Sequence, residues 1–461
     1  MPVTTFVAQA FAILHGSTTL LYLTILAIVD RLKKPYARAD HEALRQAYHD
    51  LWNLETSKHQ HSFVEANGLQ LHYLSNNDTQ RAPNLVILLH GFPDSAHVFD
   101  NVLASRRLAS TDSKLVALGL PGYGGSDTPK DFGAESMLNA IIEAIIELKK
   151  RHLDSESQTS NGQCILLGHD WGGAIAFRIA AETERLVDRV VVLNSMHLPH
   201  AKARLSSQVS KCNNALAQWR QDPLKSLQKG WQELQPVKNQ LMKSSYKKIF
   251  MFNLPYPLQL LSTALDFLVN YCHRQIAPTK RRLHVISAAS NGPSEAEATS
   301  RNPEGQTYGP SVLYRAKADP PGDWLQRIRI YREGLATRSW KPSEAVLPYI
   351  PTEEEASKSQ TKAGKLRYPM TIVFGLDDLA FDIRIALDGI EDFFVSQDEG
   401  GGRRSHVVRL KGQGHWFFTQ PQGAVVLERV LFALLEKSDV GGLESDLARE
   451  VDQGGVDVET Y

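Results

Sequence analysis

Gly168-His169-Asp170-Trp171-Gly172-Gly173 follows an apolar run, residues 164–167, and opens a stretch with helical patterning. Glycines flanking a strand-to-helix turn permit a tight bend that leaves the central side chain protruding, the context of a nucleophile elbow. That central side chain is a carboxylate, not a serine hydroxyl. A carboxylate displaces a group at an sp3 carbon and forms an alkyl ester, whereas serine attacks carbonyls. Alone, G-x-D-x-G also describes an ordinary turn, so its meaning rests on what lies at the other strand ends. His90-Gly91-Phe92-Pro93-Asp94 follows the apolar run 85–89. The backbone N–H groups of Phe92 and Trp171 are the expected donors to an oxyanion there. Phe374-Gly375-Leu376-Asp377-Asp378 closes a further run, and Gly412-Gln413-Gly414-His415-Trp416 closes the last. A lone His after a strand is more often incidental and Asp378 alone could be a turn or a helix cap, but four motifs at strand ends, in the chain order nucleophile, acid, His, follow the order expected with such an elbow.

The elements that must position these residues are legible in the patterning. Residues 63–66 and 69–74 form a hairpin divided by Asn67-Gly68, the strongest short turn signal. Continuous apolar runs at 85–89, 115–118, 164–167 and 190–193 suit central strands of a parallel sheet, buried on both faces. Helical segments at 137–148 and 171–181 lie between them, which predicts a doubly wound α/β sheet. The alternation stops near Asn194 and resumes at Tyr368, with strands at 370–374 and 406–410 and a last helix at 424–435. The expected organisation is an anchor over 1–35, a linker helix over 36–59 and a first core part over 60–197. A mainly helical lid over 198–345, a second core part over 346–437 and a flexible acidic tail over 438–461 follow. The polar stretches 287–306, 351–364 and 399–404 are expected to loop out.

These motifs, with Leu120-Pro121-Gly122-Tyr123-Gly124-Gly125-Ser126, resemble the α/β-hydrolase superfamily and its epoxide hydrolase branch over about residues 60–437. The resemblance implies a nucleophilic Asp170, an orienting Asp378 with Asp377 as the fallback, and a His415 that activates water. It also implies lid tyrosines that hold and protonate the epoxide oxygen, and no cofactor or metal. Ile330-Tyr331-Arg332 matches the second tyrosine. The first is counted back from Phe252-Asn253-Leu254-Pro255, and that register lands on Lys248, with Tyr246 two residues off. On a helix two residues turn a side chain by ~200°, so Tyr246 is the candidate substrate-binding tyrosine only if the helix is shifted, and packing within the lid is slightly favoured. Haloalkane dehalogenation is the alternative within the same chemistry, although Phe92 stands where that family usually has Asn. A membrane-anchored scaffold that binds without turnover is the alternative outside it. A serine esterase is disfavoured because no G-x-S-x-G occurs.

Lys plus Arg and Asp plus Glu are 51 each, which removes any global electrostatic reason to bind nucleic acid. Three cysteines, Cys164, Cys212 and Cys272, form neither a disulfide framework nor a zinc pattern and fit a reducing compartment. Residues 6–29 carry no formal charge and as a helix reach ~36 Å, enough to cross a bilayer. No basic region precedes this run and no small-residue cleavage site follows it, which favours a retained anchor over a signal peptide. Arg31, Lys33, Lys34 and Arg38 follow the span, so the positive-inside rule puts the rest of the chain in the cytosol. A single-pass protein of the endoplasmic reticulum with a lipophilic small-molecule substrate is therefore expected. The sequon Asn77-Asp78-Thr79 would be glycosylated only in the opposite orientation.

Overall fold

The apolar runs become one nine-stranded sheet in the computed structural model, in the order β1-β2-β4-β3-β5-β6-β7-β8-β9. The strands are β1 (Gln60–Ala66), β2 (Leu69–Ser75), β3 (Asn84–Leu89), β4 (Ser113–Leu118), β5 (Gln163–His169), β6 (Arg189–Leu193), β7 (Met370–Gly375), β8 (His406–Leu410) and β9 (Val456–Thr460). The structure describes residues 3–33, 38–76, 81–154, 162–251, 258–277, 279–318, 323–352, 363–398, 402–436, 443, 447 and 455–461. The sequon and the Phe252-Asn253-Leu254-Pro255 run lie outside them, as do residues 353–362. β1 and β2 pair antiparallel with Ala66 opposite Leu69, so Asn67 and Gly68 alone turn the chain, at φ 47° and 72°. A two-residue hairpin turn needs both at positive φ. From β4 through β8 every neighbouring pair is parallel.

Nine helices of twelve residues or more among the described residues accompany the sheet, with one short helix between two of them. They are α1 (Val3–Lys33), α2 (Arg38–Trp52), α3 (Ala134–His152), α4 (Trp171–Glu182), α5 (Leu198–Ala217), α6 (Pro223–Lys243), α7 (Lys247–Met251), α8 (Leu258–Ile276), α9 (Lys280–Asn291) and α10 (Pro421–Leu435). Side chains of a strand alternate between faces. Accordingly Leu85, Ile87 and Leu89 of β3 join the core layer that contains α3 and α4, while Val86 and Leu88 join the layer that contains α10. α5 through α9 lie in the long excursion between β6 and β7.

Within α1, Ile13–Asp30 is long and apolar enough to cross a membrane by length and composition, the one such segment among the described residues. α1 packs along α8. Leu20, Thr24 and Ala27 are buried, while Leu14, Leu21, Tyr22, Ile25 and Leu32 are exposed. At the far end the Arg274 guanidinium of α8 holds the Asp30 carboxylate at 2.7 Å. The helix thus presents an apolar outer face and is attached to the helical insertion by its other side.

Two expectations are corrected. Residues 287–306 do not loop out: α9 runs to Asn291, and Ala288, Ser290, Glu297 and Asn302 are buried. Their polar groups have partners, such as Trp52 Nε1 donating to the Ala288 carbonyl at 2.9 Å and Leu54 N–H to Ser300 Oγ at 2.9 Å. Polar composition therefore reflects internal hydrogen bonding rather than exposure. The acidic tail likewise ends in order, because β9 pairs antiparallel with β8. Val456 and Val458 pack on the core while Arg409 meets Glu459 at 2.7 Å and Asp457 at 3.8 Å. The excess of acidic residues masked this two-residue alternation.

Candidate active site

Four chain turns, each at the C-terminal end of a parallel strand, meet at one point. Asp170 stands between β5 and α4 at φ 50° and ψ −114°, a conformation that costs energy for a residue with a side chain and is tolerated where surroundings enforce it. Close approach explains the neighbouring glycines. A Cβ on Gly172 would lie 2.2 Å from the Leu89 carbonyl oxygen, and one on Gly91 would lie 2.4 Å from Asp170 Cβ. The carboxylate does not cap its own helix. Instead Asp170 Oδ1 accepts the Phe92 N–H at 3.0 Å, and the Trp171 N–H also supports the charge. Asp170 Oδ2 lies 3.7 Å from His415 Nε2.

His415 Nδ1 is 2.7 Å from Asp378 Oδ2, so the imidazole meets Asp378, the residue three beyond Gly375. The Asp378 carboxylate also accepts from the Phe381 N–H at 2.8 Å, from the Ala380 N–H and from Asn194 Nδ2. Burial would push Asp378 up, but the His415 charge and these donors hold it below the ordinary carboxylate value. Burial opposes the imidazolium at His415 as well, yet Asp378 and then Asp170 raise it above the ordinary histidine value. Asp170 itself is raised, by burial, with His415 and the Phe92 N–H acting in the other direction.

The helical insertion lies over this group. A cavity of about 380 Å³ is bounded by Phe92, Asp170, Tyr246, Leu268, Cys272 and His415 among others. Tyr331 packs against residues that line it or flank Asp170: its ring meets Trp171 at 4.9 Å, Phe92 at 5.4 Å and Tyr246 at 6.3 Å, and it also meets Phe250 at 5.0 Å. Burial first, and then charge including that of Asp170, push both phenols well above their ordinary value, so both keep their protons. The count back to Lys248 assumed one helix through these positions. Tyr246 lies in a turn between α6 and α7, so a turn of 100° per residue does not describe it, and its ring stands beside Tyr331.

Sequence reasoning gave no role to three neighbours. Asn194, at φ 37°, bridges β6 to β7 through Gly375 N–H at 2.9 Å and reaches Asp378. An Asn ending a buried strand is the signal that would have found it. Lys247 feels Asp170 and Asp378 as charges, although burial is stronger and lowers it. Lys243 Nζ donates to the Phe381 carbonyl at 2.8 Å and to that of Asp378. Neither lysine lies in a motif, so nothing in the linear pattern distinguishes them from solvated cations.

A family described as alpha/beta hydrolase fold matches residues 84–420. The chain belongs to that family. Among curated proteins it is 32% identical over 150 residues to Epoxide hydrolase 3 of Xenopus tropicalis, covering 31% of this chain and 36% of that one. It is 34% identical over 134 residues to Epoxide hydrolase 4 of Mus musculus, covering 29% and 34%. The matched stretch thus spans about a third of the length of these relatives. A crystal structure of Bacillus megaterium epoxide hydrolase in complex with an inhibitor aligns over 81% of this chain and 100% of that one, at 21% identity and TM-score 0.43. In this α/β hydrolase Asp170 follows β5, Asp378 follows β7 and His415 follows β8. The arrangement suits displacement at carbon by a carboxylate with proton donors facing it and a base behind it.

Proposed function

We propose that this α/β hydrolase adds water to lipophilic epoxides through an alkyl ester on Asp170. Asp170 Oδ2 attacks an epoxide carbon, the C–O bond breaks, and the alkoxide takes a proton from Tyr331 or Tyr246. Water then attacks the ester carbonyl of Asp170 as His415 Nε2 accepts its proton. The tetrahedral oxyanion forms on Oδ1, between the N–H groups of Phe92 and Trp171, and collapses with cleavage of the Cγ–Oδ2 bond. The leaving alkoxide takes the proton held by His415 to give the diol, and the proton of the new carboxyl group returns through solvent to the phenolate, restoring the free carboxylate. The observation that carries this reading is the placement of two phenols beside Asp170: Tyr246 lines the same cavity, and the Tyr331 ring meets both Tyr246 and Trp171. A halide leaves without a proton, so dehalogenation gives these phenols no task. The intact Asp170, Asp378 and His415 set argues in the same way against a scaffold without turnover.

The test uses the full-length protein in detergent, with lipophilic epoxides and haloalkanes assayed side by side for diol and for halide. Diol formation without halide release is expected. Halide release alone would replace the proposal with dehalogenation, and neither product would favour the scaffold.

The apolar outer face of α1 supports a role for residues 1–35 as a membrane anchor, with Asp170 on the cytosolic side of the endoplasmic reticulum. Protease added to sealed microsomes is then expected to digest the hydrolase core. Protection of the core, or glycan on Asn77, would reverse the orientation.

A further inference from the structure

His59, His61, His72 and His97 gather around the end of α2, a place the proposed reaction does not use. His97 belongs to the turn Ala96–Phe99, Asp100 follows it directly, and His59 approaches from the loop between α2 and β1. The rings of His59 and His97 are 4.7 Å apart, nearly perpendicular at 81°. His97 Nδ1 lies 3.2 Å from Asp100 Oδ1, and His59 Nε2 lies 3.7 Å from Asp100 Oδ2. One nitrogen from each histidine and a carboxylate oxygen of Asp100 all fall within 4.8 Å of one another.

We propose that His59, His97 and Asp100 form a structural site for a divalent transition-metal ion of the zinc class. Zinc takes imidazole nitrogen at ~2.0–2.1 Å and carboxylate oxygen at ~2.0–2.2 Å in a tetrahedron, which sets neighbouring donor atoms roughly 3.3 Å apart. Around the one oxygen Asp100 Oδ2, the separations of 3.4 Å to His97 Nδ1 and 3.7 Å to His59 Nε2 already approach that spacing. Closing the third edge requires only a swing of His59, whose side chain is 28% exposed and lies on a loop. His97, by contrast, is buried and is wedged against the Trp52 ring at 4.7 Å, so one ligand is fixed before the ion arrives. The exposed sides of His59 and Asp100 leave the fourth position to water. Two imidazoles and one carboxylate favour zinc or a neighbouring transition ion over calcium and magnesium, which prefer oxygen.

Behind the ligands lies a second row of imidazoles, with the His61 ring 6.0 Å from that of His97. His61 Nδ1 and His72 Nε2 share a hydrogen bond at 2.8 Å. A bound ion would tie the start of β1 to the turn that follows the Phe92 segment. It would therefore act on stability rather than on the reaction.

Zn2+ alone, titrated into the metal-free full-length protein by calorimetry, is expected to bind at one site per chain and to raise the melting temperature with rising concentration. Co2+ should give the visible absorption of a four-coordinate ion. His59→Gln, at a partly exposed position, and Asp100→Asn are each expected to weaken Zn2+ binding at least tenfold, with epoxide turnover unchanged. The readout is metal binding, so it stands whether or not the catalytic proposal does. Absence of saturable Zn2+ binding to the wild-type protein would overturn the site. Undiminished affinity in both variants would overturn it equally, by locating the ion elsewhere.

Discussion

His415→Gln protein mixed with an epoxide substrate should become heavier by exactly one substrate mass and stay so. The glutamine cannot take a proton from water, while Asp170, still held by the Phe92 N–H at 3.0 Å, keeps its ability to attack carbon. Removing a general base typically lowers a rate by ~10² to 10⁴, and here the loss falls on ester hydrolysis alone. Intact-protein mass spectrometry detects the adduct. In wild-type protein, a single turnover in oxygen-18 water should label the Asp170 carboxylate rather than the diol, because the attacking oxygen comes from Asp170. Label in the diol on the first turnover, with no adduct in the variant, would mean that water attacks the epoxide directly. The pH dependence follows from the same charges. His415 works as a base when neutral, and Asp378 and Asp170 raise it above the ordinary histidine value, so hydrolysis of the ester fails as pH falls. Esterification removes the Asp170 charge and with it one of the raising influences. The acid midpoint of ester hydrolysis should therefore lie below the His415 titration seen by NMR in the free protein. A higher midpoint would exclude the Asp170 charge as a cause.

Loss of the phenols should act on the other half of the reaction. Tyr331→Phe and Tyr246→Phe are each expected to slow alkylation by ~10-fold or more, and the double variant by ~10² to 10⁴, the range for removal of a general acid. Their effects should not add simply, since two acids facing one oxygen substitute in part for each other. Each ring packs, partly buried, against the same aromatic group, and removing one hydroxyl leaves that packing in place. Because the alkoxide is protonated before water attacks, these variants should not accumulate the ester, in contrast to His415→Gln. Stopped-flow burst kinetics separates the two steps. A Tyr246→Phe rate equal to wild type would leave Tyr331 as the sole acid. An unchanged double variant would remove the phenols from the reaction.

The sequence by itself determined the parts that depend on local pattern. Each apolar run reappears as a strand with its ends moved by a residue or two, and Asn67-Gly68 turns the hairpin. Asp170, Asp378 and His415 were legible because each follows a strand end with its own glycine signature, and a parallel sheet brings such ends together. Period-based reasoning failed where no regular element exists, as at Tyr246, which a turn rather than a helix presents to Tyr331. It also failed where composition conceals burial. Ser290 and Glu297 lie inside because distant backbone supplies their partners or their neighbours enclose them, and Val458 reaches the core through a strand whose other face is acidic. Only the tertiary structure could place Asn194 on Asp378, Lys243 on the Phe381 carbonyl, or His59 beside His97. Those contacts join residues remote in sequence or separated by a change of chain direction. Their energies depend on distance and burial, and neither quantity is written in the order of residues along a chain.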